Sequence, residues 1–274
     1  MAPPNMQESN RRLWDELAAQ AVANLPATGA ADLNGLTSLE LAEVGPVAGK
    51  RLLHLQCHVG LAALSWARLG AQVTGVDFSV TAIAAAQRLS REMNLPATFL
   101  AADLYDLPGL LPGPFDVVFT SFGVLSWLPD LTAWAKIIAA YLKPGGFFYL
   151  AEFHPLARVF REDAQRVKDL RLAYSYFTTP EPLTWEIASP DSQRALSTAH
   201  SFEWNHSLGE IVTALARAGL RLEFLHEFAF CSEQLLPCLV QGPDNWWRLP
   251  DHDGSLPLMF SLKAHKAEML NAER

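Results

Sequence analysis

The stretch RLLHLQCHVGLAALSWARLGAQVTGVDFS, residues 51–79, decides the fold. It opens with a β-rich apolar run, RLLHLQC (51–57), and turns at Gly60. Leu61, Leu64 and Leu69, set against polar Ser65 and Arg68, then predict a helix that ends at Gly70. QVTGVD (72–77) forms a second strand and closes on an acid, Asp77. An open α/β sheet presents a nucleoside in this order: strand, tight turn, helix, strand, terminal acid. The backbone of the turn and the helix start face the ligand, and the carboxylate can hold two ribose hydroxyls. Gly60 and Asp77 lie 17 positions apart, which leaves room for one helix and one strand.

The same rhythm continues downstream. Ala82, Ala86, Leu89 and Met93 mark the apolar face of a second helix, TFLAAD (98–103) a third strand and FDVVFTSF (115–122) a fourth. Asp130 caps a helix with the stripe Leu131, Trp134, Ile138 and Tyr141. Lys143-Pro144-Gly145-Gly146 stops it by removing a donor and permitting positive φ, and FFYLAEF (147–153) follows as the fifth strand. Residues 155–205 break the pattern. They hold Pro180, Pro182 and Pro190 and the aromatic β-like pieces AYSYF, PLTWEI and SFEWNH, which predict a small β-rich insertion. Ser207 and Glu210 form a capping box before a helix faced by Leu208, Ile211, Val212 and Leu215 and ended by Gly219. LRLEFLHEFAF (220–230) and PLMFSLKAH (257–265) are closing strands. The expected fold is therefore α/β and Rossmann-like: a seven-stranded, mostly parallel sheet with helices on both faces, one antiparallel edge strand near the C-terminus, and the insertion.

Composition narrows the function. Half of the 274 residues are apolar, enough for a sizeable core, yet no apolar run reaches the ~18–20 residues that cross a bilayer. The start, MAPPNMQESNRR, has no apolar signal region, so a cytoplasmic protein is expected. A net charge of −8, from 21 Lys+Arg against 29 Asp+Glu, gives no diffuse attraction to nucleic acid or anionic lipid, and neither is expected as a partner. Cys57, Cys231 and Cys238 lack paired spacing, and no carboxylate–histidine cluster stands at ligand spacing, so no metal and no disulfide is expected. Oligomeric state is not legible.

On these residues the chain resembles the class I S-adenosylmethionine-dependent methyltransferases, in the variant whose first motif reads LHLQCH instead of LDLGCG. The resemblance covers residues 50–155 and extends weakly through FEWNHSLGEIVTALARAGLRLEFLHE. It implies S-adenosylmethionine as cofactor and S-adenosylhomocysteine as product. It also implies that the backbone of Gln56, Cys57, His58 and Gly60 holds the methionyl portion and ribose. Asp77 would take the ribose hydroxyls, with Phe78 beside the adenine. Asp103 would accept from the adenine amino group while the Leu104 amide meets a ring nitrogen, and main-chain oxygens of Thr120, Ser121 and Phe122 would meet the methionyl ammonium. LKPGG before the fifth strand completes the pattern. The implied organisation is one methyltransferase domain over 1–274: a helical lid (1–49), a cofactor-binding core (50–154), the β-rich cap (155–205), and the helix and closing strands of 206–274.

The chain departs from that family at three positions. Gln56 and His58 stand where glycine is common, and His54 where the acid is common. Larger residues there either shift the cofactor, line its pocket with side chains, or mark a pocket kept only as a non-catalytic binding module. A nicotinamide-dependent oxidoreductase would instead show G-x-G-x-x-G; residues 56–61 read QCHVGL, and no Tyr-x-x-x-Lys pair occurs.

Methyl transfer is an in-line displacement, so placement is the enzyme's main contribution and a general base is optional. Candidates for a base are His154 in EFHP, His200, His206, Tyr174 and Tyr176. His154, at the end of a core strand, is open to substrate contact or to loop capping; His206 reads as structural and His54 as a satisfied buried imidazole. Trp14 lies on an amphipathic helix that either closes over the cofactor or packs on the sheet. Trp127 is placed to wall an acceptor pocket, and Trp134 is core. Trp185, Trp204, Trp246 and Trp247 either line the cap or pack. The acidic charge and the aromatic insertion favour a small-molecule acceptor.

Overall fold

The structure, a computed structural model, describes residues 6–25, 34–186, 200–251 and 254–267. The chain opens with two helices, α1 (Met6–Ala23) and α2 (Ser38–Val44). It then alternates through β1 (Arg51–Leu55), α3 (Leu61–Arg68), β2 (Gln72–Asp77), α4 (Val80–Glu92) and β3 (Ala97–Ala101). β4 (Phe115–Ser121), α5 (Leu131–Tyr141) and β5 (Leu142–Phe153) complete the parallel part. A hairpin of β6 (Leu183–Glu186) and β7 (His200–Glu203) precedes α6 (Leu208–Arg217) and β8 (Leu220–Phe228). The short strands β9 (Phe230–Cys231), β10 (Val240–Gln241) and β11 (Trp247–Arg248) lead to β12 (Met259–Lys266).

The main sheet has seven strands in the order β3-β2-β1-β4-β5-β12-β8. β1 pairs in parallel with both β2 and β4, so the strand order reverses between β1 and β4. At such a reversal the loops leaving the carboxyl ends diverge and open a crevice. Alternate residues of the strands feed two apolar layers. On one face Leu53, Leu55, Val118 and Phe148 meet Trp134 and Ile138 of α5 and Ile211 and Leu215 of α6. On the other, Leu52, Phe119 and Tyr149 meet Trp66 of α3 and Ile83 and Leu89 of α4. A buried side chain of this size contributes about 1.5–3 kcal/mol, so these two layers hold the crevice rigid. The Asp130 and Ser207 caps form as expected, the second as a full capping box.

Several expectations are corrected. The antiparallel strand is β12, and it lies inside the sheet between β5 and β8, while β8 takes the edge. The apolar run MFSL of β12 is buried throughout, whereas Arg221, Glu223 and Glu227 leave β8 largely exposed, as suits an edge. The first strand stops at Leu55, because Gln56 already takes φ 55°. Helix α5 ends at Tyr141, and the Lys143–Gly146 segment is a bulge inside β5, with Gly145 at φ 76° and a register shift opposite Phe115 and Val117. Within 155–205, PLTWEI and SFEWNH supply β6 and β7, but AYSYF forms no strand. Residues 187–199, with Pro190, lie outside the described residues, as do residues 1–5 of the opening segment. The three-stranded sheet β10-β11-β9 was not expected. Among the described residues no helix is long and apolar enough to cross a membrane.

Candidate active site

The turn after β1 carries the site's geometry. Gln56, His58 and Gly60 take φ of 55°, 49° and 79°, so the backbone twists three times within five residues. The positions where glycine is common keep the left-handed conformation without glycine, a cost of roughly 1–2 kcal/mol each that the surrounding contacts must offset. The main-chain N–H of His58 donates to Asp77 Oδ2 at 2.8 Å, and that of Ser79 to Oδ1 at 2.9 Å. Gly60 is glycine for packing: a Cβ there would lie 2.8 Å from the Ala86 Cβ and 2.9 Å from the Phe99 ring.

A cavity of about 540 Å³ lies over the carboxyl ends of β1, β2, β3 and β4. Trp14, Gln56, Cys57, His58, Asp77, Phe78, Asp103, Leu104, Ser121 and Phe122 all line it, as do His54 and Trp127. Gly60, Thr120 and His154 do not. Thr120 is buried, its hydroxyl donating to the Leu55 carbonyl at 3.0 Å and tying β4 to β1. His154 is held elsewhere: its Nδ1 accepts from the Leu156 N–H at 3.0 Å, and its Nε2 meets Glu227 Oε1 at 2.9 Å. With both ring nitrogens engaged between β5 and β8, it caps a loop and is not brought to the cavity. His206 bonds the Leu128 carbonyl at 2.7 Å. Trp185, Trp204, Trp246 and Trp247 stay off this wall; Trp185 packs on Tyr174, and Trp246 on Phe230.

Electrostatics sort the titratable groups. Burial raises the Asp77 carboxyl to about 6, opposed by the amides of Ser79 and His58. Burial pulls His54 down to about 3 and lowers His58 as well, so both imidazoles are neutral at pH 7. The Cys57 thiol is pushed up by burial and by the Asp77 charge, which makes it a poor nucleophile. Asp103 accepts from the Tyr105 N–H at 2.9 Å, which fixes its carboxylate beyond the end of β3.

Helix α1 closes one side. The Trp14 ring meets His58 and Trp127 edge-on, each at 5.3 Å between centroids. Asp15 Oδ1 accepts from Ser79 Oγ at 2.6 Å and Thr81 N at 3.0 Å, docking α1 on the start of α4. The Asn10 amide pairs with both backbone groups of Phe202, at 2.7 and 2.9 Å, and so ties α1 to β7.

Sequence reasoning missed Gln7, Asn10, Tyr105 and Glu233, which line the cavity, and Glu152, which binds the loop after β4. The acid in the apolar run FFYLAEF was a usable signal for Glu152, and Tyr105 stands two places after Asp103. Glu233 had no local signal.

The residues present fit S-adenosylmethionine. The cavity falls in the ~300–1,000 Å³ range of small-molecule sites, with carboxylates at the ends of two adjacent strands. Residues 53–148 match the methyltransferase domain family. The sheet order agrees with that match, and the fold is the one found in S-adenosylmethionine-dependent methyltransferase structures.

The chain is 32% identical over 114 residues to the ubiquinone biosynthesis O-methyltransferase of Chromobacterium violaceum, over 42% of this chain and 49% of that protein. It is 38% identical over 105 residues to the enzyme of the same name from Xanthomonas euvesicatoria, over 38% of this chain and 44% of that protein. The chain thus spans about half the length of the curated relatives it matches. A crystal structure of an S-adenosylmethionine-dependent methyltransferase from Mesorhizobium loti shares the fold, with a TM-score of 0.59 at 21% identity over 82% of this chain and 94% of that one.

Proposed function

We propose that this chain transfers the methyl group of S-adenosylmethionine to a small-molecule acceptor and releases S-adenosylhomocysteine. One observation carries the reading: the twisted turn at Gln56–Gly60 is locked by its own amide to Asp77, with Asp103 one strand further along the same wall. Bound there, S-adenosylmethionine supplies an electrophilic methyl carbon on a sulfonium.

The chain's residues bind and orient. Asp77 takes the ribose hydroxyls, Phe78 flanks the adenine, and Asp103 with the Leu104 N–H reads its edge. The main-chain oxygens of Ser121 and Phe122 take the methionyl ammonium. Gln7, Asn10 and Trp14 of α1 cover the cavity and exclude water, as a lid does. Trp127 and Glu233, on the same wall and without a cofactor role, are left to meet the acceptor. The net charge of −8 supports a diffusible acceptor met in the cytoplasm over nucleic acid or a membrane surface. The relatives match only 42% and 38% of this chain, so ubiquinone O-methylation stays a property of those relatives.

Isothermal titration with S-adenosylmethionine and S-adenosylhomocysteine, with Asp77→Ala alongside, tests the reading. Micromolar binding lost in the variant is expected. A folded protein that binds neither ligand would instead be a non-catalytic module.

A further inference from the structure

The end of β4 is held from behind by one buried side chain. Glu152 is 5% exposed, and it stands near the end of β5 beside the loop Phe122–Leu125. Its Oε1 accepts from Gly123 N at 2.6 Å and Phe153 N at 2.7 Å; its Oε2 accepts from Val124 N at 2.8 Å and Leu125 N at 3.0 Å. Three consecutive amides therefore wrap one carboxylate, an arrangement a backbone adopts around an anion.

That loop is bent. Phe122 takes φ 37° and Gly123 φ 69°, and the Phe122 N–H donates to the Ala151 carbonyl at 2.8 Å. With its amides turned inward to Glu152, the loop turns its carbonyls away from that carboxylate. Two of them are already in use: Leu125 O accepts from Leu128 N at 3.1 Å, and Val124 O accepts from Trp127 N at 3.2 Å and from Gln56 Nε2 at 3.1 Å, which joins this loop to the turn after β1. Ser121, Phe122, Gly123 and Val124 all line the cavity, while Glu152 does not.

We infer that Glu152 is a positioning residue: it holds the Phe122–Leu125 loop so that main-chain oxygens meet the ammonium of the cofactor's amino-acid arm. The inference rests on the proposed cofactor. It assigns to this carboxylate a role in selecting the amino-acid end of the ligand, through backbone it never shares with the ligand directly. The Glu152 oxygens divide the four amides two and two, so a carboxamide in either orientation turns its NH₂ toward two of them. The loop must then rotate, and its carbonyls with it.

The test compares two probes by titration calorimetry on the full chain. S-adenosylhomocysteine carries the ammonium; 5′-methylthioadenosine shares the adenosine and sulfur but lacks the amino-acid arm. In Glu152→Gln, S-adenosylhomocysteine is expected to weaken about tenfold or more, and methylthioadenosine no more than about twofold. If Glu152→Gln does not fold, Glu152→Asp keeps a carboxylate but withdraws it by one methylene, and the same selective loss is expected. Equal weakening of both probes, or of neither, overturns the inference and gives Glu152 a purely structural role. Failure of the unaltered chain to bind either probe overturns the cofactor reading itself, and the inference with it.

Discussion

The His58 main-chain N–H donates to Asp77 Oδ2 at 2.8 Å, so the turn after β1 and the acid that ends β2 form one unit. The bond fixes the carboxylate's direction and holds the left-handed residue at 58 in place. It also means that the charge on Asp77 and the shape of the turn change together.

This coupling sets a pH dependence. Asp77 is raised to about 6 by burial, while its unfolded value is about 3.9. The folded chain keeps that proton where the unfolded chain has lost it, so Asp77's contribution to stability is full below about 4 and lost as pH rises through about 6. In the proposed binding mode ligand affinity runs the other way, because the ribose hydroxyls would donate to the charged carboxylate. Affinity for S-adenosylhomocysteine should fall as pH drops below about 6, approaching tenfold per unit, and Asp77→Asn should lack that slope. Calorimetry between about pH 5 and 7.5 decides it; parallel curves for the two proteins would remove Asp77 from the ribose site.

Trp14 reaches the turn after β1 through His58 and the segment after β4 through Trp127. Edge-on aromatic pairs contribute about 0.5–1.5 kcal/mol each, so Trp14→Ala should weaken S-adenosylhomocysteine several-fold, up to about tenfold. An unchanged dissociation constant would show that α1 packs on the sheet without covering the ligand.

Asn10 docks α1 on β7. Its amide replaces a strand partner for Phe202, and Asn10→Ala would leave a buried N–H and a buried C=O without partners. Unpaired buried groups cost about 1–3 kcal/mol each, so stability should fall by about 2 kcal/mol or more in denaturant titration. Faster proteolysis within residues 6–25 should accompany the loss. A variant as stable as the parent would mean that Asp15, Ser9 and Trp14 dock the helix without Asn10.

The parts of this molecule that follow from local pattern were legible in the sequence. QVTGVD is β2 to the residue, because alternation and a terminal acid are both local signals. Asp130 and the stripe Leu131, Trp134, Ile138 and Tyr141 form the helix expected of them. The order of β8 and β12 was not legible, although the charges of LRLEFLHEF against the apolar MFSL, weighed for edge against interior, contained the answer. Asn10 and Phe202 are 192 residues apart, and Glu152 meets a loop 27 to 29 residues earlier. No periodicity reports such contacts, since only the folded sheet brings them together. Gln56 and His58 were visible as departures, but whether the backbone kept its twist is a property of the turn, and it did.

His58 itself can be weighed against glycine. Its φ of 49° costs roughly 1–2 kcal/mol, which His58→Gly would recover; the same change removes the ring on which Trp14 rests, worth about 0.5–1.5 kcal/mol. The two nearly cancel, so the unfolding midpoint should move by only a few degrees. Affinity should not cancel, because the lid loses its platform: S-adenosylhomocysteine should weaken about as much as in Trp14→Ala. In the double variant the second substitution should add little, since one contact has been removed twice. Calorimetry on the four proteins measures that coupling. Fully additive losses would show that Trp14 and His58 act on the ligand separately, and that the histidine stands in the turn for its own contact with the cofactor.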